Sequence, residues 1–236
     1  MKNKYIFILS LTIVCSLLLS LATEGLRSLK EKNVEIDKKK NVLNAIGLDI
    51  SGLSNSDIDM YFFNNIDTLI INLDGDINNI LRIPDLDTVE NNQTGEVKYY
   101  NNNIEYLPVY EDNIKKVIVI PISGKGLWST LFGYFAIDSD NYSTVKGITF
   151  YKHKETPGLG GEVSKKWFQS NFVGKEVYEN NNLKSVKVAK AGYADKNSLY
   201  EVDGISGATI TSNGVTAFLL RDLKRYENYF KKNLNE

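Results

Sequence analysis

The sequence predicts an α+β protein: a single N-terminal transmembrane helix, then a mixed α/β domain closed by a C-terminal amphipathic helix. Three observations carry this reading. Residues 5–22 contain no charged side chain. Between residues 116 and 151, three β-rich runs are separated by turn-forming residues. Within residues 212–234, Val215, Phe218, Leu219, Leu223, Tyr226 and Phe230 recur at helical spacing on one face.

Composition narrows the function classes. A chain of 236 residues with 42% hydrophobic content can bury a real core. With 28 Lys+Arg against 29 Asp+Glu the net charge is -1, which argues against a nucleic-acid partner. The single Cys excludes an internal disulfide framework and a Cys-cluster metal site. The single His excludes a pair of His ligands, so no metal site is expected.

The elements follow in order. At 1.5 Å per residue, the uncharged run just spans a hydrocarbon core of about 30 Å. A cleaved signal peptide is the alternative, ending small-x-small at Ser20-Leu21-Ala22. The run is longer than a usual signal h-region, so residues 1–25 are expected to be an uncleaved anchor. Cys15 reads as a small apolar membrane residue, since Ile13 and Val14 before it are too large for a lipoprotein-type site. Lys2 and Lys4 precede the run, whereas Arg27, Lys30, Lys32, Lys38, Lys39 and Lys40 follow it. A simple positive-inside count would therefore keep the large domain in the cytoplasm, although long domains translocate largely regardless of charge.

Residues 26–50 read as a stalk, helical over 26–46. Residues 51–114 are an Asn/Asp-rich region of short strands and variable loops. Asp74-Gly75-Asp76 invites a calcium-loop reading that fails: its sixth position is Asn79 rather than Gly, and its twelfth is Asp85 rather than Glu. Residues 115–236 form the main domain. Strands are expected at 116–122, 133–137 and 144–151, with a hairpin at 138–141. A helix at 162–172, a strand at 183–189 and the helix at 212–234, N-capped by Ser212, complete it.

Three Gly-rich segments are candidates for chemistry. The first is Gly124-Lys125-Gly126-Leu127-Trp128-Ser129-Thr130, in which Trp128 is a candidate for stacking on a ring, with core packing as the alternative. The second, Glu155-Thr156-Pro157-Gly158-Leu159-Gly160-Gly161-Glu162, joins a strand to a helix and has little bulk to obstruct a flat ring. The third runs from Asp203 through Gly204, Ile205, Ser206, Gly207, Ala208 and Thr209 to Ile210, Thr211 and Ser212, directly before the last helix. Its small side chains expose backbone, and N–H groups at a helix start favour an anion such as phosphate. A simple connector or capping turn explains either of the last two segments equally well. The dinucleotide and Walker fingerprints are absent. A Ser-His-Asp triad would have to use His153, which lies in a Lys-His-Lys run and reads as a surface residue, and no G-x-S-x-G elbow is present.

Asp203-Gly-Ile-Ser-Gly-Ala-Thr209 resembles the motif of proteins that carry FMN on a threonine through a phosphoester, and Glu155-Thr-Pro-Gly-Leu-Gly160 resembles the companion loop of that FMN-binding domain. The strings 126–130, 145–151, 158–163 and 202–215 are similar to the C subunit of the Na+-translocating NADH:quinone reductase, as is the stalk at 37–43. The likeness covers residues 1–50 and 115–236. The G subunit of the Rnf ferredoxin:NAD oxidoreductase shares the two motifs and is the alternative. Gly126-Leu-Trp-Ser-Thr130 and the doubled glycine Gly160-Gly161 favour the quinone reductase.

The resemblance implies covalent FMN on Thr209, attached by a separate flavin transferase that reaches the hydroxyl past Ser206, Gly207 and Ala208. It implies that Thr156, Gly158, Leu159 and Gly160 line the isoalloxazine, with Leu159 on its face. Trp128, Ser129 and Thr130 are further candidate contacts, Ser129, Thr130 and Thr156 for the phosphate or ring edge. No residue of the chain is expected to be catalytic, and the protein would carry electrons towards quinone without binding NADH. One helix would anchor the domain on the outer face of the inner membrane, within an assembly of six subunits that moves Na+ outward. Whether Asp203 positions a metal during flavin transfer or caps a turn stays open at this level.

Overall fold

The computed structural model describes residues 2–234. It divides into two compact units, Met1–Lys38 and Lys39–Glu236.

The first unit is helical. α1 (Lys2–Gly25) is followed by the start of α2 (Arg27–Ala45). Residues Asn3–Gly25 are long and apolar enough to cross a membrane, by length and composition. The hydroxyls of Ser10, Thr12, Ser16 and Thr23 each donate to a carbonyl three or four residues back, so the run leaves few polar groups for lipid to meet.

The second unit is built on a seven-stranded sheet: β1 (Ile66–Asn72), β2 (Asp87–Glu90), β3 (Val97–Asn101), β4 (Ile104–Asp112), β5 (Val117–Lys125), β6 (Thr130–Asp138) and β7 (Val145–Lys152). Strands β2 to β7 lie in sequence order, β1 pairs with β4, and every ladder is antiparallel. Both faces are covered, so the central strands are apolar throughout rather than alternating. On one face Val117, Val119, Tyr134 and Ala136 pack with Val42, Leu43, Ala45 and Ile46 of the α2 end and with Ile58 of α3 (Asn55–Asn65). On the other, Ile118, Ile120, Leu131 and Phe135 pack with the last helix. The mixed α/β domain with an apolar N-terminal helix and a closing C-terminal helix is as expected.

Several boundaries differ from the sequence reading. α3 falls in the stretch expected to hold only strands and loops. Ser54 caps it reciprocally with Asp57, a pattern legible in the sequence beneath the Asn-rich composition. The expected helix at 162–172 is three short turns: a 3-10 turn at Gly160–Ser164, α4 (Lys166–Gln169) and a second 3-10 turn at Ser170–Phe172. The expected strand at 183–189 is broken by Ser185, whose φ of 64° cannot continue a strand. Short pairs remain: β8 (Tyr178–Glu179) with β9 (Asn182–Leu183), and β10 (Lys187–Val188) with β11 (Glu201–Val202).

The last helix, α5 (Thr209–Leu234), starts three residues earlier than expected. Ser212 is not its cap. It lies buried in the first turn, and its N–H donates to the carbonyl of Ala208 at 3.0 Å. Apolar spacing defines a helical face but not the residue at which the helix begins.

α5 is held at a fixed height along β5. Its buried Asp222 accepts from the N–H of Ser123 at 2.9 Å, and Arg225 donates to the carbonyl of Val97 at 3.1 Å. Gly214 faces β5 so closely that a Cβ there would lie 2.2 Å from the carbonyl oxygen of Lys125. Backbone cannot yield cheaply, so Gly214→Ala is expected to destabilise the protein by about 1–3 kcal/mol. Thermal unfolding of the detergent-solubilised chain reads this as a lower Tm, and an unchanged Tm would show that the helix can shift.

Candidate functional site

The three Gly-rich segments come together at one buried carboxylate. The first forms the connection between β5 and β6, closed by a Gly126 N–H bond to the carbonyl of Ser129 at 2.8 Å. The second follows β7, and the third leads into α5. Between them lies Glu155, 5% exposed. Its Oε1 accepts from the N–H groups of Trp128 at 2.9 Å and Ser129 at 3.0 Å. Its Oε2 accepts from the N–H of Leu127 at 3.1 Å and from the hydroxyl of Thr211 at 2.7 Å. One side chain thus joins the β5–β6 loop, its own loop and the first turn of α5.

Glycine makes this convergence possible. A Cβ at Gly126 would stand 2.7 Å from Glu155 Oε1. One at Gly160 would stand 2.7 Å from both Glu155 Oε2 and Thr211 Oγ1. Gly158 (φ 75°) and Gly207 (φ 73°) hold left-handed backbone that other residues adopt only under strain. A Cβ at Gly207 would lie 2.8 Å from Leu159 Cδ2, so Leu159 rests against the bare backbone before α5.

Burial alone would raise the Glu155 pKa. The Thr211 hydroxyl and the Trp128, Ser129 and Leu127 N–H groups outweigh it and hold the carboxyl below the usual glutamate range. A depressed pKa contributes stability above the unfolded value of about 4.3, lost as pH falls through the folded value. Stability is therefore expected to decline below about pH 4.3 in the wild type, with a shallower decline in Glu155→Gln. Denaturant unfolding between pH 3 and 6 measures the difference, and equal slopes would contradict the assignment.

The candidate residues from the sequence lie as follows. Thr209 is the first residue of α5 and is exposed, as are Ser206 and Gly207, while Ala208 is buried beneath them. Thr156, Gly158 and Leu159 are exposed and Gly160 is buried against Glu155. Trp128 is 68% exposed, which excludes the core alternative. Ser129 accepts from the N–H of Lys154 at 2.7 Å. Thr130 is buried at the start of β6, where its hydroxyl donates to Glu90 at 2.6 Å. Asp203 accepts from the N–H of Gly192 at 2.7 Å and so ties down a turn. His153 is only partly exposed, and its Nδ1 accepts from the N–H of Glu155 at 3.3 Å.

The residues not singled out in advance are Glu155 and Glu162; Thr211, read from the sequence only as a further hydroxyl of the third segment, proves to be the donor to Glu155. Glu162 accepts from the N–H of Gly158 at 3.2 Å and from the Trp167 indole at 2.9 Å, bracing the second loop. Both glutamates stand at the ends of the motif, where a carboxylate in a loop ordinarily reads as solvated.

Leu127, Trp128, Leu159 and Ile210 all present apolar surface beside these loops, next to the open N–H groups of the α5 first turn. That turn carries no acidic side chain. Exposed apolar side chains beside a helix start fit a ligand with a flat ring and a phosphate. Comparison with known proteins agrees: the family model for the FMN-binding domain matches residues 126–223, which span all three loops and most of α5. The chain is also 36% identical over 228 residues to the C subunit of the Na(+)-translocating NADH-quinone reductase of Vibrio anguillarum, covering 91% of this chain and 87% of that protein. Among solved structures, the same subunit from Parabacteroides distasonis superposes with a TM-score of 0.70 at 29% identity, covering 87% of this chain and 96% of the other. NqrC of Shewanella oneidensis gives 0.68 at 25% identity, covering 88% and 100%.

The chain therefore has an FMN-binding domain. It belongs to the C-subunit family of the Na+-translocating NADH-quinone reductase, and the Rnf-type alternative is set aside.

Proposed function

We propose that this chain is the electron-carrying FMN subunit of a membrane Na+-translocating NADH:quinone reductase, with FMN linked through its phosphate to the Thr209 hydroxyl. The observation that carries the reading is an exposed threonine at the first position of α5, flanked by small residues and bordered by the two companion loops. When bound, FMN supplies reversible electron transfer at its isoalloxazine.

The chain's residues divide the remaining work. Ser206, Gly207 and Ala208 leave the Thr209 hydroxyl open to a separate flavin transferase. The first-turn N–H groups of α5 favour the phosphate. Leu159 and Trp128 offer apolar surface to the ring, and Thr156, Gly158 and Gly160 keep the second loop thin beside it. Ser129 remains a candidate at the ring edge. Thr130, whose hydroxyl already donates to Glu90, acts through the shape of β6 rather than by binding the phosphate.

α1 supports single-pass anchoring in the inner membrane, and the family resemblance favours the outer face for the FMN domain over the cytoplasmic side suggested by the charge count. The partners are the other subunits of the complex. Purification from native membranes tests the whole reading. Co-purification with a Na+-stimulated NADH:quinone reductase activity is expected. Ferredoxin-dependent NAD reduction without quinone reduction would contradict it.

A further inference from the structure

Glu155 is more than a loop staple. All four of its closest partners are N–H or O–H donors, which an acceptor-only carboxylate satisfies and an amide would not. Three come from the β5–β6 loop and the fourth from Thr211, two residues after Thr209 on the same helical turn. A Cβ at Gly126 or Gly160 would stand 2.7 Å from a carboxylate oxygen, so either substitution would push Glu155 away from its donors. A neutral turn would serve a structural purpose without burying a charge.

We propose that Glu155 is the positioning residue of the flavin: it locks the turn bearing Thr209 to the loops carrying Trp128 and Leu159, and so fixes the orientation and electrostatic environment of the isoalloxazine. This rests on the FMN reading above. A fixed negative charge at the base of the site opposes addition of electrons to a ring nearby, so it lowers the flavin's midpoint potential.

The test uses the full chain matured with its flavin transferase and solubilised in detergent. In Glu155→Gln, flavin is expected to remain covalently attached on denaturing gels, while its visible circular dichroism changes and its midpoint potential becomes more positive. Thr211→Val removes only the link to α5 and keeps the charge with its three backbone donors. It is expected to alter the dichroism while leaving the potential closer to wild type. If Glu155→Gln fails to fold, the dichroism of Thr211→Val decides. Wild-type dichroism and potential in flavinylated variants would overturn the role of Glu155 alone. A wild-type chain without flavin would overturn the FMN reading and this role together.

Discussion

Thr209→Ala is expected to abolish covalent flavin while leaving the domain folded. Thr209 is exposed at the first helical position, where alanine neither empties a core site nor strains the backbone. The stability change should stay within about 0.5 kcal/mol. The loss of flavin should nevertheless be complete, because a phosphoester needs a hydroxyl and alanine has none. Of the neighbouring hydroxyls, Thr211 is buried and donates to Glu155 and Ser212 is buried inside the turn, whereas Ser206 is exposed but precedes the helix rather than starting it. Thr209→Ser should restore attachment. In-gel flavin fluorescence with a parallel melting curve reads both effects, and fluorescence retained in Thr209→Ala would show that the acceptor lies elsewhere.

Glu155→Ala is expected to have the largest effect on stability. It strands the N–H groups of Leu127, Trp128 and Ser129 and the hydroxyl of Thr211 around a cavity. Each orphaned donor costs about 1–3 kcal/mol when water cannot reach it. The β5–β6 loop is exposed at Leu127 and Trp128, so water reaches part of the cavity and a total of about 3 kcal/mol is expected. For a chain of this size that lowers Tm by roughly 6–12 °C. Glu155→Gln keeps the volume but turns a donor towards donors, so it should fall between wild type and alanine. A melting temperature for Glu155→Ala within a degree of wild type would show that the loops are held by other contacts.

How much was legible in the sequence depends on which force fixed each element. α1 and the central strands follow from burial, which composition and periodicity report directly. The face of α5 was legible for the same reason. Its start was not, because the helix begins at Thr209, three residues before the Ser212 expected to cap it. α3 was hidden because Asn and Asp dominate its neighbourhood, although Ser54 and Asp57 carry its cap. The split of 162–172 into three turns reflects packing of Phe168 and Phe172 into the core, a tertiary demand that helical spacing alone does not encode.

The three Gly-rich segments were legible as exceptional, and the family resemblance gave them a shared purpose. Their convergence on Glu155 was not legible. The residues concerned lie 26–56 positions apart in the chain, and a loop glutamate carries no local sign of burial. Glycine gave the one indirect signal: Gly126 and Gly160 leave the space that the Glu155 carboxylate, and at Gly160 also the Thr211 hydroxyl, occupies.

The most direct test of the central claim is peptide mass spectrometry on the protein purified from its own membranes, aimed at the peptide containing Thr209. A mass increase equal to FMN minus water, with fragment ions placing it on Thr209, is the predicted result. An unmodified Thr209 peptide, or flavin on a different residue, would contradict the account.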